Sequence, residues 1–251
     1  MSKTKNKQLN EKSSPESEMT FLEHLEELRW RIVYAMIGIV IGTIVAWIFI
    51  DPLVNYILLL PAKTANIKLQ NLRPFGQLFL FFQIALIGGL ILSLPNVFYQ
   101  FWKFISPALK ENERKYVTGI VIFSTLCFVV GIVFAYFIML PTALNFAVSF
   151  GSPDIENNFA ITEYMSIIIS VMLGAGVVFE LPMLSFFLSK IGLLTPDFMR
   201  KYRRHAIVVI LIIAAILTPT VDPVGQTLLA IPLVFLYEIS IFVSKISRKK
   251  S

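Results

Sequence analysis

The sequence predicts an all-α integral membrane protein with six transmembrane helices, and three observations carry that reading. Of its 251 residues 56% are hydrophobic and 15% charged, with a mean hydropathy of +0.74, whereas a soluble domain carries about 25% charged residues. The charges are gathered between apolar runs long enough to cross a bilayer. Of the 22 Lys and Arg residues, 19 fall in alternate connecting segments and 3 in the others. One water-soluble core would not hide this much apolar surface. With 22 Phe residues, the chain is not disordered, collagen-like or coiled coil either.

The chain opens on a polar segment, 1–19, which predicts a disordered cytoplasmic tail. Its charge and lack of an apolar stretch argue against a cleavable signal peptide, so the first hydrophobic helix should direct membrane insertion. Thr20 and Glu23 have the capping-box form. Phe21, Leu25, Leu28 and Ile32 follow at helical spacing. An interfacial helix should therefore start near residue 20 and run into the first span.

A span needs about 20 apolar residues. The first is expected at Ile32–Ile50, ending before Asp51-Pro52, and the second at Gly76–Phe98 with Pro95 at its end. The third runs from Tyr116 to Leu140 and stops at Pro141. The fourth, Tyr164–Leu188, contains Glu180 and Pro182. The fifth, Ala206–Leu217, has only 12 residues, and the sixth covers Val224–Val243. At 1.5 Å per residue the fifth reaches roughly 18 Å, so helices five and six should form a short hairpin below the far surface. Mismatch would then thin the bilayer or draw in partner helices. Alternatively the fifth helix begins near Phe198 and tilts.

Residues 20–245 thus form the membrane domain, followed by a basic cytoplasmic tail, 246–251. The Lys and Arg asymmetry places both termini in the cytoplasm. It also accounts for the basic isoelectric point of about 9.4 without nucleic acid.

No phosphate-binding GxxxxGK[ST] loop, GxSxG or HExxH motif occurs. One cysteine and two histidines make a metal centre improbable. No enzymatic activity and no cofactor are expected. What remains is carboxylates in unusual places. Glu23, Glu26, Glu27, Glu111 and Glu113 lie on an otherwise basic face. Either they solvate and pair locally, Glu27 with Arg31 and Glu26 with Arg29, or they receive the guanidinium groups of a basic partner. Glu180, at span depth, is costly by about 2.5–3.5 kcal/mol, and such acids usually face a cavity or a partner. The other explanation is a protonated or interfacial Glu. Thr218, Thr220, Asp222 and Gln226 cluster at the last turn, as ordinary turn chemistry or as a polar contact site.

The motifs resemble one family. His24-Leu-Glu-Glu-Leu-Arg29, Pro95 through Tyr99-Gln-Phe-Trp102, Ser106-Pro-Ala-Leu-Lys-Glu-Asn-Glu-Arg114, Phe134-Ala-Tyr136, Phe179-Glu-Leu-Pro182, Leu217-Thr-Pro219 and Gln226-Thr-Leu-Leu-Ala-Ile-Pro232 are collinear over nearly the whole chain. They are similar to those of TatC, the core component of the twin-arginine protein translocase. The turn Thr220-Val-Asp-Pro223 is slightly longer than the family's pattern. The resemblance implies a cup-shaped receptor for twin-arginine signal peptides of folded substrates, exported across the cytoplasmic membrane on the proton-motive force. It implies that Glu27, Arg29 and Glu113 bind the signal peptide. It further implies that Glu180, with Thr218 and Gln226, forms a membrane-embedded polar site for partners. Those partners would be single-span TatA- or TatB-type subunits and further copies of the chain. The competing class is a solute or ion transporter using Glu180 as its coupling acid. Such proteins usually carry an internal repeat, and none is evident between residues 30–140 and 160–243.

Overall fold

A computed structural model of the chain describes residues 21–106, 117–149, 158–217 and 223–249. Its first helix, α1 (Phe21–Ile48), is 28 residues long and joins the interfacial stripe to the first span without a break. The expected cap at Thr20 lies outside the described residues, as do tail 1–19 and the last two residues. After α1 the chain makes α2 (Ile50–Pro52), a wide turn at Leu53–Leu58, α3 (Leu60–Thr64) and β1 (Lys68–Gln70). Helix α4 (Gly76–Ile105) returns across the molecule. Then come α5 (Val117–Phe134), a wide turn at Ala135–Met139, α6 (Leu140–Ser149) and β2 (Asn158–Ala160). The remaining helices are α7 (Ile161–Val178), α8 (Leu181–Lys190), α9 (Pro196–Lys201), α10 (Arg203–Leu217) and α11 (Pro223–Lys249).

Among the described residues five helices are long and apolar enough to cross a membrane: Leu22–Ile48, Gly76–Ile105, Val117–Ser149, Ile161–Lys190 and Leu229–Ser247. The fifth expected span is α10, 15 residues long, about 22 Å at 1.5 Å per residue. It starts three residues earlier than expected. The amide of Ala206 bonds to the Tyr202 carbonyl, and that of Tyr202 to Phe198, so α9 and α10 follow one another with a joint at Tyr202.

Three expectations need correction. Helix α11 is not short: it has 27 residues, roughly 40 Å. Its last turns are held against α8 by Ser189 and Ser244, whose hydroxyls meet at 2.6 Å, and by Ser247, which donates to the Phe186 carbonyl at 3.3 Å. Prolines did not end helices. Pro95 lies inside α4, and the third helical stretch passes Pro141 to Ser149, whereas Pro232 lies inside α11 as expected. In a membrane, neighbouring groups and local widening of the turn re-satisfy the carbonyls that proline frees, so the helix continues. Finally, the fold is not purely helical. β1 and β2 pair in parallel, Lys68 with Asn158, Leu69 with Phe159 and Gln70 with Ala160.

Helix α1 exposes most of its apolar side chains and packs principally on α4. That exposure suits lipid, where apolar contact outside the protein carries no penalty. What holds α1 is close approach. A Cβ on Gly42 would sit 2.5 Å from the Gly89 carbonyl oxygen, and one on Gly89 would collide with the Thr43 backbone. Gly38 and Gly42 are four apart, the small-xxx-small spacing that lets helices touch. Trp47 stacks on Phe82 (4.9 Å) and His24 on Phe104 (4.5 Å), bracketing the seam.

The core lies where α6, α7 and α11 meet the irregular 50–65 segment, around fully buried Leu140, Met165, Ile168, Leu229 and Leu233. The buried Tyr164 hydroxyl donates to the Leu58 carbonyl (2.8 Å) and accepts from the Ala62 amide (3.0 Å). Tyr136 donates to the Ile57 carbonyl at 2.8 Å. These two phenols satisfy backbone groups that the irregular turns leave without helical partners.

Candidate functional site

Glu27 lies on the face of α1 that meets α4. One carboxylate oxygen accepts from Arg31 Nη2 at 2.8 Å, the two side chains each being 19% exposed. Arg31 Nη1 in turn donates to Gln100 Oε1 at 3.4 Å, and Gln100 Nε2 reaches Asn96 Oδ1 at 3.4 Å. Asn96 Nδ2 donates to the Tyr34 carbonyl at 3.1 Å. A polar chain therefore links two helices along their seam. The second carboxylate oxygen, Oε2, is buried without a hydrogen-bond partner among the described residues. An unpaired carboxylate oxygen costs free energy where it sits, and the cost is recovered when a donor arrives.

Arg29 points elsewhere. It pairs with Glu26 at 3.2 Å on the exposed side of α1, 65% exposed, and its guanidinium lies 5.5 Å from the Trp30 ring centroid. Both local ion pairs expected from helical spacing thus form. Glu111 and Glu113 lie outside the described residues.

Glu180 occupies the joint between α7 and α8. Pro182, at the start of α8, has no N–H to return to the Val178 carbonyl. The chain turns there, and the Glu180 carbonyl accepts instead from the amides of Met183 (3.0 Å) and Leu184 (2.9 Å). The carboxylate caps nothing. Among the described residues its Oε1 is buried without a partner, and so is the hydroxyl of Ser124 on α5, which faces it without closing a hydrogen bond of good geometry. Two polar groups without partners among the described residues, Glu180 ten residues before the end of α8 and Ser124 on α5, meet at this joint.

Gln226 on α11 donates to the Leu211 carbonyl of α10 at 3.0 Å, so its amide nitrogen ties the last two helices together. Thr218 and the turn that would bring it beside Gln226 lie outside the described residues. No hydrogen bond or ion pair joins the Glu27, Glu180 and Gln226 positions among the described residues. They are three sites on one scaffold.

Sequence reasoning passed over Asn96, Gln100 and Ser124 as site members. Two amides inside an otherwise charge-free run were a readable signal, since each needs a partner in the membrane. Ser124 gave none, because a lone Ser in a span usually bonds its own helix.

Comparison with known proteins adds the lineage. The sequence profile of the family described as "Sec-independent protein translocase protein (TatC)" matches residues 23–232. A protein of that name from Carboxydothermus hydrogenoformans is 38% identical, the match covering 92% of this chain and 95% of the relative. One from Blattabacterium is 36% identical over 93% of this chain and 98% of its own length. A solved structure, described as the crystal structure of the twin-arginine translocase receptor TatC, superposes with a TM-score of 0.76 at 37% identity, covering 90% of this chain and 99% of the other.

Proposed function

The chain belongs to the TatC family of Sec-independent protein translocase proteins, and from that membership we propose that it is the receptor for twin-arginine signal peptides. In this reading it spans the cytoplasmic membrane six times, α10 being the short fifth span, with both termini in the cytoplasm. Glu27 and Glu113 receive the paired guanidinium groups, and Arg29, turned to the exposed side of α1 with Glu26, meets the peptide at the rim of that site. Glu180, Thr218 and Gln226 engage TatA- or TatB-type single-span partners and neighbouring copies of the chain. The proton-motive force drives export, in keeping with a sequence that has no nucleotide-binding loop.

The observation that carries the reading is the Glu27 carboxylate: one oxygen held by Arg31, the other buried and without a hydrogen-bond partner among the described residues. Arg31 fixes the carboxylate plane in advance, so an incoming guanidinium loses less freedom on binding. Guanidinium is planar, forked and weakly hydrated, and it tolerates this half-buried position better than a lysine ammonium. A basic peptide approaching a basic cytoplasmic face needs such a local acceptor.

The test is photo-crosslinking of a twin-arginine signal peptide to Glu27→Ala, Glu113→Ala and the double variant. Breaking an exposed pair costs about 0–1 kcal/mol and a buried one about 3–5 kcal/mol. Glu27 lies between, so binding should weaken roughly 30-fold, equivalent to about 2 kcal/mol, and further in the double variant. Undiminished crosslinking by the double variant refutes the assignment.

A further inference from the structure

A pocket of about 390 Å³ opens between α8, α9, α10 and α11, lined by Leu181, Met199, Tyr202, Ala206, Val209 and Tyr237 among others. Its wall is almost wholly apolar. Interleaved in sequence with these lining residues, where α9 gives way to α10, stand Arg200, Lys201, Arg203 and Arg204, all exposed and outside the pocket wall. Arg203 is neutralised by Glu238 at 2.6 Å. The other three have no carboxylate partner among the described residues, and Lys201 only leans over the Tyr202 ring at 5.9 Å. Asp197, exposed in the first turn of α9, is the acid of that helix, and Glu238 belongs to α11. The α9–α10 junction beside this apolar hole thus carries four cations against Asp197 and Glu238.

We propose that this pocket holds an acyl chain of an anionic phospholipid whose phosphate sits among Arg200, Lys201 and Arg204. Basic pockets between membrane helices suit such headgroups, and the two halves of the site match the two halves of a lipid. A protein helix fits less well. From Tyr202 to Val209 the α10 wall is about 10 Å long at 1.5 Å per residue, against the ~30 Å that a spanning helix covers. The joint at Tyr202 leaves α10 too short to close the bundle, and a lipid chain fills the resulting gap. Under the topology proposed above the lipid belongs to the cytoplasmic leaflet; its binding does not depend on that topology.

The purified full-length chain in detergent, incubated with dioleoylphosphatidylglycerol or dioleoylphosphatidylcholine and weighed by native mass spectrometry, tests the proposal. Wild type should retain the anionic lipid preferentially. Each surface cation is worth about fivefold in anionic-lipid affinity, so Arg200→Gln/Lys201→Gln/Arg204→Gln should lower the preference by roughly 100-fold. Val209→Trp fills the pocket from an exposed position and should cut retention of both lipids without lowering the melting temperature of lipid-free protein. Equal retention of the two lipids by wild type, or an unchanged preference in the triple variant, overturns the proposal. So does a photo-reactive group at position 209 that captures a protein helix instead of lipid in membranes.

Discussion

Glu180 shows what one side chain at membrane depth can tolerate. A carboxylate there is costly unless something hydrates or pairs with it, yet Oε1 has no partner within the described chain and faces an equally unsatisfied Ser124 hydroxyl. The α7–α8 joint, set by Pro182, is what leaves room for it. We therefore expect Glu180→Gln to accumulate and bind signal peptide normally. Glu180→Ala should also accumulate, because it removes a group the fold does not satisfy, but export should fall several-fold as the partner loses its polar anchor. Export rate measured beside signal crosslinking in the Ala variant separates the outcomes. Wild-type values for both make Glu180 a tolerated residue; failure to accumulate makes its role structural. At this scale the sequence was informative where a charge broke an apolar run. Glu27 and Arg31 were legible from i,i+4 spacing, whereas the Gln100 and Asn96 continuation depends on α4, which spacing along α1 cannot reveal.

Helices were legible as existence and less so as extent. Long charge-free runs specified five of the spans because bilayer thickness sets their length. Their ends were misread at Pro95 and Pro141, since the rule that proline stops a helix belongs to water-exposed backbones. The β1–β2 pair escaped notice because three-residue strands carry no periodicity. The α1–α4 seam was written in the sequence as Gly42 opposite Gly89 and Gly38 opposite Asn96, although only the structure pairs them. Gly89→Ala should drive a methyl group into the Thr43 backbone and destabilise the protein by about 1–3 kcal/mol. Denaturant titration in detergent would measure this, and a disulfide engineered between positions 34 and 96, across the Asn96–Tyr34 contact, should form more slowly. Unchanged stability and crosslinking would mean that α1 is held by its ends alone.

For the whole molecule, the basic residues predict how the scaffold sits. Cysteines at Ser2, Lys190 and Ser251 should react with an impermeant maleimide only from the cytoplasmic side, and one at Ser152 only from outside; the reverse pattern at Ser152 overturns six spans. With that orientation, Glu27 and its polar chain lie at the membrane surface where a signal peptide arrives. Glu180 lies deeper, and the α10 region below full span length borders the proposed lipid. Recognition of two adjacent arginines is the claim on which these parts converge. The most direct measurement is the affinity of the purified chain for a twin-arginine signal peptide and for its Lys-Lys counterpart of equal charge. A planar fork on a preset carboxylate predicts tighter binding of the arginine peptide on the order of tenfold, with the difference lost in Glu27→Ala. Equal affinities, or a preference that survives that substitution, would contradict the account.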